Sequence, residues 1–339
     1  MLMVLGHSGC PRIGVRMIYF FHMPLFFVCS GYFFSYICSI DKLRNFVNKK
    51  MIGLYLPYIK WSLFFLVLHN CFITFHIYDA HTSYYTYKDI VIRLLKTAMM
   101  TDFELLIRPF WFIKELFLGS ILIALLSYIL KIYSCNRRLY ILLLVILLSA
   151  ISCRYFNVSL PVIGDLSTLL LCSSYFLLGS IYKKHEHQIP HHLFYALIAV
   201  FILWAGTHYS FKLVELRFIL AEEIPLYYLL SMIGVYATFC VSKHMMNFRV
   251  RKVFFYVGTH TMSIFALHIL AFKIGSLLKI YYYHLPIEQL ADYPVILTYN
   301  KYFIFVYILC GILVPLLLGH LYNRLHHIIK TYHLIHQEK

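Results

Sequence analysis

Of the 339 residues, 61% are hydrophobic and only 13% are charged, with a mean hydropathy of +0.75, which excludes a water-soluble globular fold. The formal charge of +16 comes from 30 Lys and Arg set against 14 Asp and Glu. These basic residues are dispersed between apolar segments rather than gathered on one polar surface, which excludes a nucleic-acid-binding protein.

A membrane-spanning helix takes roughly 20 mostly apolar residues. Residues 1–7 are too few to cross and read as the end of a first span, truncated by a misassigned start codon or by loss of what precedes it. Full spans are expected at about 17–38, 52–75, 111–131, 139–156, 166–182, 191–209, 224–242, 254–280 and 300–320. The expected architecture is therefore an all-α integral membrane protein of about ten transmembrane helices, forming one domain over 1–325 with a tail at 326–339. No cleavable signal peptide, internal repeat or low-complexity linker is evident.

Lys and Arg counts orient the chain. One alternating set of connections holds Lys42, Arg44, Lys49 and Lys50; then Lys131, Arg137 and Arg138; then Lys183 and Lys184; then Lys243, Arg249, Arg251 and Lys252; and finally Arg324, Lys330 and Lys339. These are assigned to the cytoplasm, with the C-terminus, in a cell (inner) membrane. The other set is poorer: Arg12 and Arg16, a scatter through 75–110, then Arg154, Lys212 and Arg217, and none from 281 to 298. Within the long outer loop, YKDIVIRLLKTAMM (87–100) has apolar residues at helical spacing and predicts an amphipathic helix lying on the membrane or capping a cavity.

The second span is unusual. Its core, IYFFHMPLFFVCSGYFF at 18–34, carries His22, Pro24, Ser30 and Gly31 in a run that needs only apolar residues to serve as an anchor. In hydrocarbon, polar groups and a helix-breaking proline persist where protein or a water-filled cavity faces them. Pro24 is expected to loosen the helix, and Ser30 with Gly31 to let another helix approach closely.

The segment FFHMPLFFVCSGYFF (20–34) resembles the second transmembrane segment of the acyltransferase-3 family, including fucose 4-O-acetylase-type proteins. VLGH (4–7), PFWFIKELFLGSIL (109–122) and YVGTHTMSIFALH (256–268) agree with that family in order. The resemblance implies a multipass enzyme that moves an acyl group, commonly acetyl, onto a hydroxyl of a sugar or another acceptor. It also places an arginine ten residues before the histidine matching His7, a position this chain does not reach.

His7 ends the first span on the outer side, and His22 lies shortly inside the second, so the two imidazoles can share a depth. A group with an unperturbed pKa near 6.5 suits removal of a hydroxyl proton at neutral pH. His7 is the candidate base, a role the resemblance also implies. His22 is either a second catalytic or substrate contact or a hydrogen-bond donor to a neighbouring helix. Trp111 is either a sugar-stacking ring or an ordinary interfacial aromatic. Lys114 either snorkels or pairs, and Glu115 either pairs with Arg108 or a histidine or binds the acceptor. His268, midway through its span, should face the bundle interior as a structural or substrate-binding residue.

On the inner side Lys49, Lys50, Arg44, Arg137 and Arg138 are candidates for the phosphates of acetyl-CoA, although topology alone also calls for basic residues there. The histidines of KKHEHQIPHH (183–192) and the tail histidines His320, His326, His327, His333 and His336 read as a polar surface. The nine scattered cysteines show no ligand spacing, so no disulfide framework and no metal site is expected. The expected function is transfer of acetyl from acetyl-CoA to a cell-surface or lipid-linked glycan, with membrane lipid and a carbohydrate acceptor as partners and no nucleic acid. The alternatives are a glycan transporter or flippase, or an inactive truncated relative.

Overall fold

The computed structural model describes residues 1–132, 135–208 and 214–337, and for 300–301, 322–323 and 325–337 the backbone alone. Lys212, Lys339 and the side chains of Lys330, His326, His327, His333 and His336 therefore lie outside the described residues. The chain is helical nearly throughout. It begins with α1 (Leu2–His7), α2 (Arg12–Tyr32) and α3 (Ile40–Lys50), then passes through one π-helical turn, Met51–Tyr55, into α4 (Leu56–Thr74). The outer loop folds as α5 (Tyr87–Ala98), and a 3-10 stretch Leu105–Phe110 leads directly into α6 (Trp111–Ile129). α7 (Asn136–Tyr155) and α8 (Leu166–His185) form a hairpin whose tip holds a two-residue antiparallel ladder, Ser159 opposite Asp165 and Leu160 opposite Gly164. α9 (Leu193–Gly206), α10 (Ile224–Met245), α11 (Arg251–Thr259), α12 (Thr261–Tyr283) and α13 (Asn300–Gln337) complete the bundle.

Among the described residues, eight helical segments are long and apolar enough to cross a membrane: 12–32, 40–74, 105–129, 136–155, 166–188, 221–245, 261–283 and 302–321. Each coincides with an expected span. The ninth expectation, 191–209, is only a 14-residue helix, about 21 Å long at 1.5 Å per residue, which is short of a hydrocarbon core about 30 Å thick. The span expected at 254–280 is divided at His260, whose Nδ1–H donates back to the Tyr256 carbonyl 2.9 Å away at the end of α11. Large apolar side chains such as Val67, Leu148, Phe201, Phe305 and Leu317 lie exposed around the girth. In a multipass membrane protein, lipid covers that surface.

α8 is the axis of packing. Of its spanning window 72% is buried, against 17% for the peripheral 302–321. Its small residues explain this position: Ser173, Ser174 and Ser180 return their hydroxyl protons to carbonyls of their own helix at 2.7–2.8 Å, so they need no outside partner. Gly31 of α2 and Gly179 of α8 let the two helices cross in backbone contact. A Cβ on Gly31 would sit 1.7 Å from the Phe176 carbonyl oxygen, and one on Gly179 would sit 2.0 Å from that of Val28. The expectation that Gly31 admits a neighbouring helix is met by α8.

The loop helix expected at 87–100 is α5, opened by a capping box in which Thr86 and Asp89 satisfy each other's backbone N–H groups. The loop around it is fastened to α4. His69 donates from Nε2 to the Ser83 carbonyl at 3.2 Å, and its Nδ1 shares a proton with Glu104 at 2.8 Å while Tyr85 stacks flat on the ring at 3.4 Å. Tyr78 also donates to Glu104, at 3.4 Å. Burial, then the Glu104 charge, pushes the Tyr78 phenol well above its ordinary range, so it stays a donor.

Candidate active site

Five separate stretches of chain meet at one end of the bundle around a cavity of about 430 Å³. The end of α1 contributes His7, and α2 contributes Val15, Tyr19, His22 and Met23. The loop before α6 adds Arg108, Pro109 and Trp111; the segment 215–217 adds Glu215 and Arg217; α12 and the loop after it add Phe265, Tyr293 and Val295. From Val15 to Met23 the cavity follows α2 for about 12 Å at 1.5 Å per residue, so its floor lies near the helix midpoint.

His7 and His22 are thus brought together, as expected, on the wall of one cavity. Tyr19 sits between them: its ring stacks on His22 at 4.9 Å, and its hydroxyl is 3.5 Å from Nδ1 of the half-buried His7. His22 donates its Nδ1–H to the Ile18 carbonyl at 2.9 Å, which leaves Nε2 as a bare acceptor. This is the tautomer a proton-abstracting imidazole needs. His7 acquires the same form when its Nδ1–H is given to the Tyr19 oxygen.

His268 stands behind His7 with ring centroids 5.5 Å apart, fully buried and outside the cavity lining. Its Nδ1–H is shared between the Ile264 and Phe265 carbonyls, and its Nε2 has no partner among the described residues. The expectation of an interior position is met. Its contact is with the His7 ring, which suits support of that ring rather than direct contact with an acceptor.

Trp111 lines the cavity, but the Arg217 guanidinium lies over its ring, 4.7 Å from the centroid. That face is not open to a sugar. Glu115 is 7% exposed and does not line the cavity. Its expected pairing with Arg108 or a histidine does not form, and Oε2 has no partner among the described residues. One turn geometry explains the separation: Lys114 is drawn to the α7–α8 hairpin, where its ammonium donates to the Val162 carbonyl at 2.7 Å, and Glu115 turns into the packed interior.

At the opposite end of α2, Lys42, Lys49 and Lys50 line a second cavity of about 550 Å³ with Phe33, Tyr36 and Phe46. Lys50 donates to Ser30 at 3.1 Å, and Lys184 lies over the Tyr36 ring at 4.6 Å. Arg137 and Arg138 do not line it; Arg138 instead caps the end of α6 through the Leu130 carbonyl at 2.9 Å. The two cavities share no lining residue.

Several residues that build the first cavity carry no sequence signal. Tyr227 donates to the Tyr19 carbonyl at 3.0 Å and holds the turn of α2 that presents Tyr19 and His22. Arg154 bonds Asp165 at 3.0 Å and the Arg217 carbonyl at 2.5 Å, tying segment 215–217 to the α7–α8 hairpin. Lys273 donates to the Leu290 and Asp292 carbonyls, and Lys279 to that of Ile296, all at 2.8 Å, pegging the loop that supplies Tyr293 and Val295.

A multipass helical bundle with two imidazoles on the wall of a cavity at one end defines a membrane-embedded protein with a candidate site among its helices. The chain belongs to the acyltransferase 3 family, whose description is an acyltransferase domain and whose match covers residues 1–314. Among curated proteins and solved structures, none matches it.

Proposed function

We propose that this membrane-bound acyltransferase-3 protein transfers acetyl from acetyl-CoA to a hydroxyl of a cell-surface or lipid-linked glycan. The observation that carries the reading is the His7–Tyr19–His22 cluster on the wall of a cavity large enough for a monosaccharide unit. His7, with His22 beside it, takes the acceptor's hydroxyl proton at an imidazole nitrogen as the oxygen attacks the thioester carbonyl. The C–O bond forms, the C–S bond breaks, and the same proton is delivered to the departing thiolate. His268 and Tyr19 keep the His7 ring in place.

The donor supplies the thioester, and the second cavity offers Lys42, Lys49 and Lys50 to its phosphates. From Met23 to Phe33 the two cavities are about 15 Å apart along α2, a distance the acyl group has to cover to reach His7. The basic bias assigns the second cavity to the cytoplasm and the first to the outer face.

The test is incorporation of labelled acetyl from acetyl-CoA into glycan by membranes carrying the protein, with His7→Ala at equal protein level. Loss of about 10²–10⁴-fold is expected for removal of a general base. Labelling that survives removes His7 from this role. No labelling across a panel of acceptors, with glycan movement across the membrane instead, favours a transporter.

A further inference from the structure

Among the cavity-lining residues, the charged side chains other than the histidines are Arg108, Arg217 and Glu215. Glu215 Oε1 accepts from both Nε and Nη2 of Arg217, at 3.0 and 2.8 Å. Arg217 is therefore neutralised along one edge, and its Nη1 has no partner among the described residues. Arg108 has none at all among them, and its side chain is exposed at the cavity mouth. Its backbone is not a loose loop: Leu106, Ile107 and Phe110 on either side are at most 2% exposed, so the guanidinium is presented from a fixed base. The mouth thus carries an uncompensated positive charge where low-dielectric walls concentrate its field. Membrane topology does not explain it, because this end of the bundle is the one poorer in basic residues.

We propose that the acceptor is anionic: a hydroxyl compound bearing a carboxylate or phosphate, which Arg108, assisted by the free edge of Arg217, holds at the cavity mouth while its hydroxyl lies against His7. This rests on the acyl-acceptor reading of the cavity. Arginine's planar fork matches both oxyanion types in a bidentate fashion. Because Arg217 lies on Trp111, engagement of that pair changes the environment of one indole, which gives a readout independent of acyl transfer.

The chain has three tryptophans, so Trp61→Phe with Trp204→Phe leaves Trp111 as the sole indole. The double variant is reconstituted in phosphatidylcholine nanodiscs and titrated with methyl β-glucuronide, its uncharged counterpart methyl β-glucoside, and glucose 1-phosphate. Saturable change in Trp111 emission is expected with the glucuronide or the phosphate, and binding at least ten-fold weaker with the glucoside. Arg108→Gln should weaken the anionic probe by roughly ten- to hundred-fold, the range for a lost charged hydrogen bond, leave the glucoside unchanged, and be partly restored by Arg108→Lys. Arg108 is exposed, and an unchanged melting temperature checks that the variant is folded.

Equal responses to the charged and uncharged probes, or indifference of the anionic probe to Arg108→Gln, overturn the proposal. So does a response that arises only when phosphatidylglycerol is added to the nanodisc, which assigns Arg108 to a lipid headgroup. Charge-selective binding without acetyl transfer from acetyl-CoA overturns the acyl-transfer reading while leaving the anion site standing. Transfer to neutral acceptors that ignores Arg108→Gln does the reverse.

Discussion

Tyr19 lies between the two cavity histidines, and its consequence is chemical. His22 has its tautomer set by its own helix through Ile18, whereas among the described residues the Tyr19 hydroxyl, at 3.5 Å, is what orients Nδ1 of His7. Removing that hydroxyl in Tyr19→Phe should lower kcat by about ten-fold, one hydrogen bond's worth, with KM for the donor unchanged. His22→Gln removes a cavity ring nitrogen whose lone pair is preset by the Ile18 bond, and its kcat relative to His7→Ala, in the same labelled-acetyl assay, apportions the proton transfer. If His22→Gln is fully active, His22 is packing alone. His7 and His22 were legible as candidates from motif and depth; Tyr19 was not, because one of 30 tyrosines in an aromatic-rich chain carries no distinguishing spacing.

Single elements are held by contacts whose failure is predictable. Gly31→Ala or Gly179→Ala drives a methyl into the backbone of the facing helix and should cost about 1–3 kcal/mol, seen as a lowered melting temperature in detergent. Gly53→Ala, with open space around it, is the control. His69→Ala leaves Glu104 buried beside Tyr78 without its main partner, a loss of about 3–5 kcal/mol for a broken buried pair. Glu104 immediately precedes the 3-10 stretch that carries Arg108, so the same substitution should loosen the cavity mouth, measurable as faster hydrogen exchange over 104–110. The α5 cap gives a pH dependence. Hydrogen bonds from the Thr86 hydroxyl and N–H hold the Asp89 carboxyl below its ordinary 3.8. A depressed carboxylate stabilises the folded state above its unfolded value, and that contribution is lost as pH falls through the folded value. Hydrogen-exchange protection of α5 should therefore hold down to about pH 4 and fade below it, and Asp89→Asn should remove the dependence.

Across the whole molecule, the two cavities at opposite ends of α2 make orientation testable with native thiols. Cys10 lines the first cavity, and the exposed Cys38 lies beside the second, bonded to Lys42, a residue of its lining. A membrane-impermeant maleimide applied to intact cells should label Cys10 and spare Cys38. The opposite pattern reverses the assignment made from the basic residues. The long apolar runs were readable in advance because span length is dictated by bilayer thickness, a one-dimensional constraint that composition alone reports. The shortfall of α9 and the break at His260 were not, since helix ends are decided by local competition for backbone hydrogen bonds.

The sequence by itself determined the solvent of this protein, the approximate bounds of eight long spans, though it counted one more than the fold contains among the described residues, the loop helix, and the family with its candidate histidines. All of these depend on periodicity, run length or motif, which survive without neighbours. Only the tertiary structure decided which residues share the cavity. It joined His7 to His268 across more than two hundred positions, placed Arg217 over Trp111, set Glu115, Arg137 and Arg138 outside the two cavity linings, and left Arg108 at the mouth with no side-chain partner among the described residues. The physical reason is that in hydrocarbon each polar group must find its partner within the bundle, and which partner it finds depends on helix crossings set by small residues such as Gly31 and Gly179, not on distance along the chain.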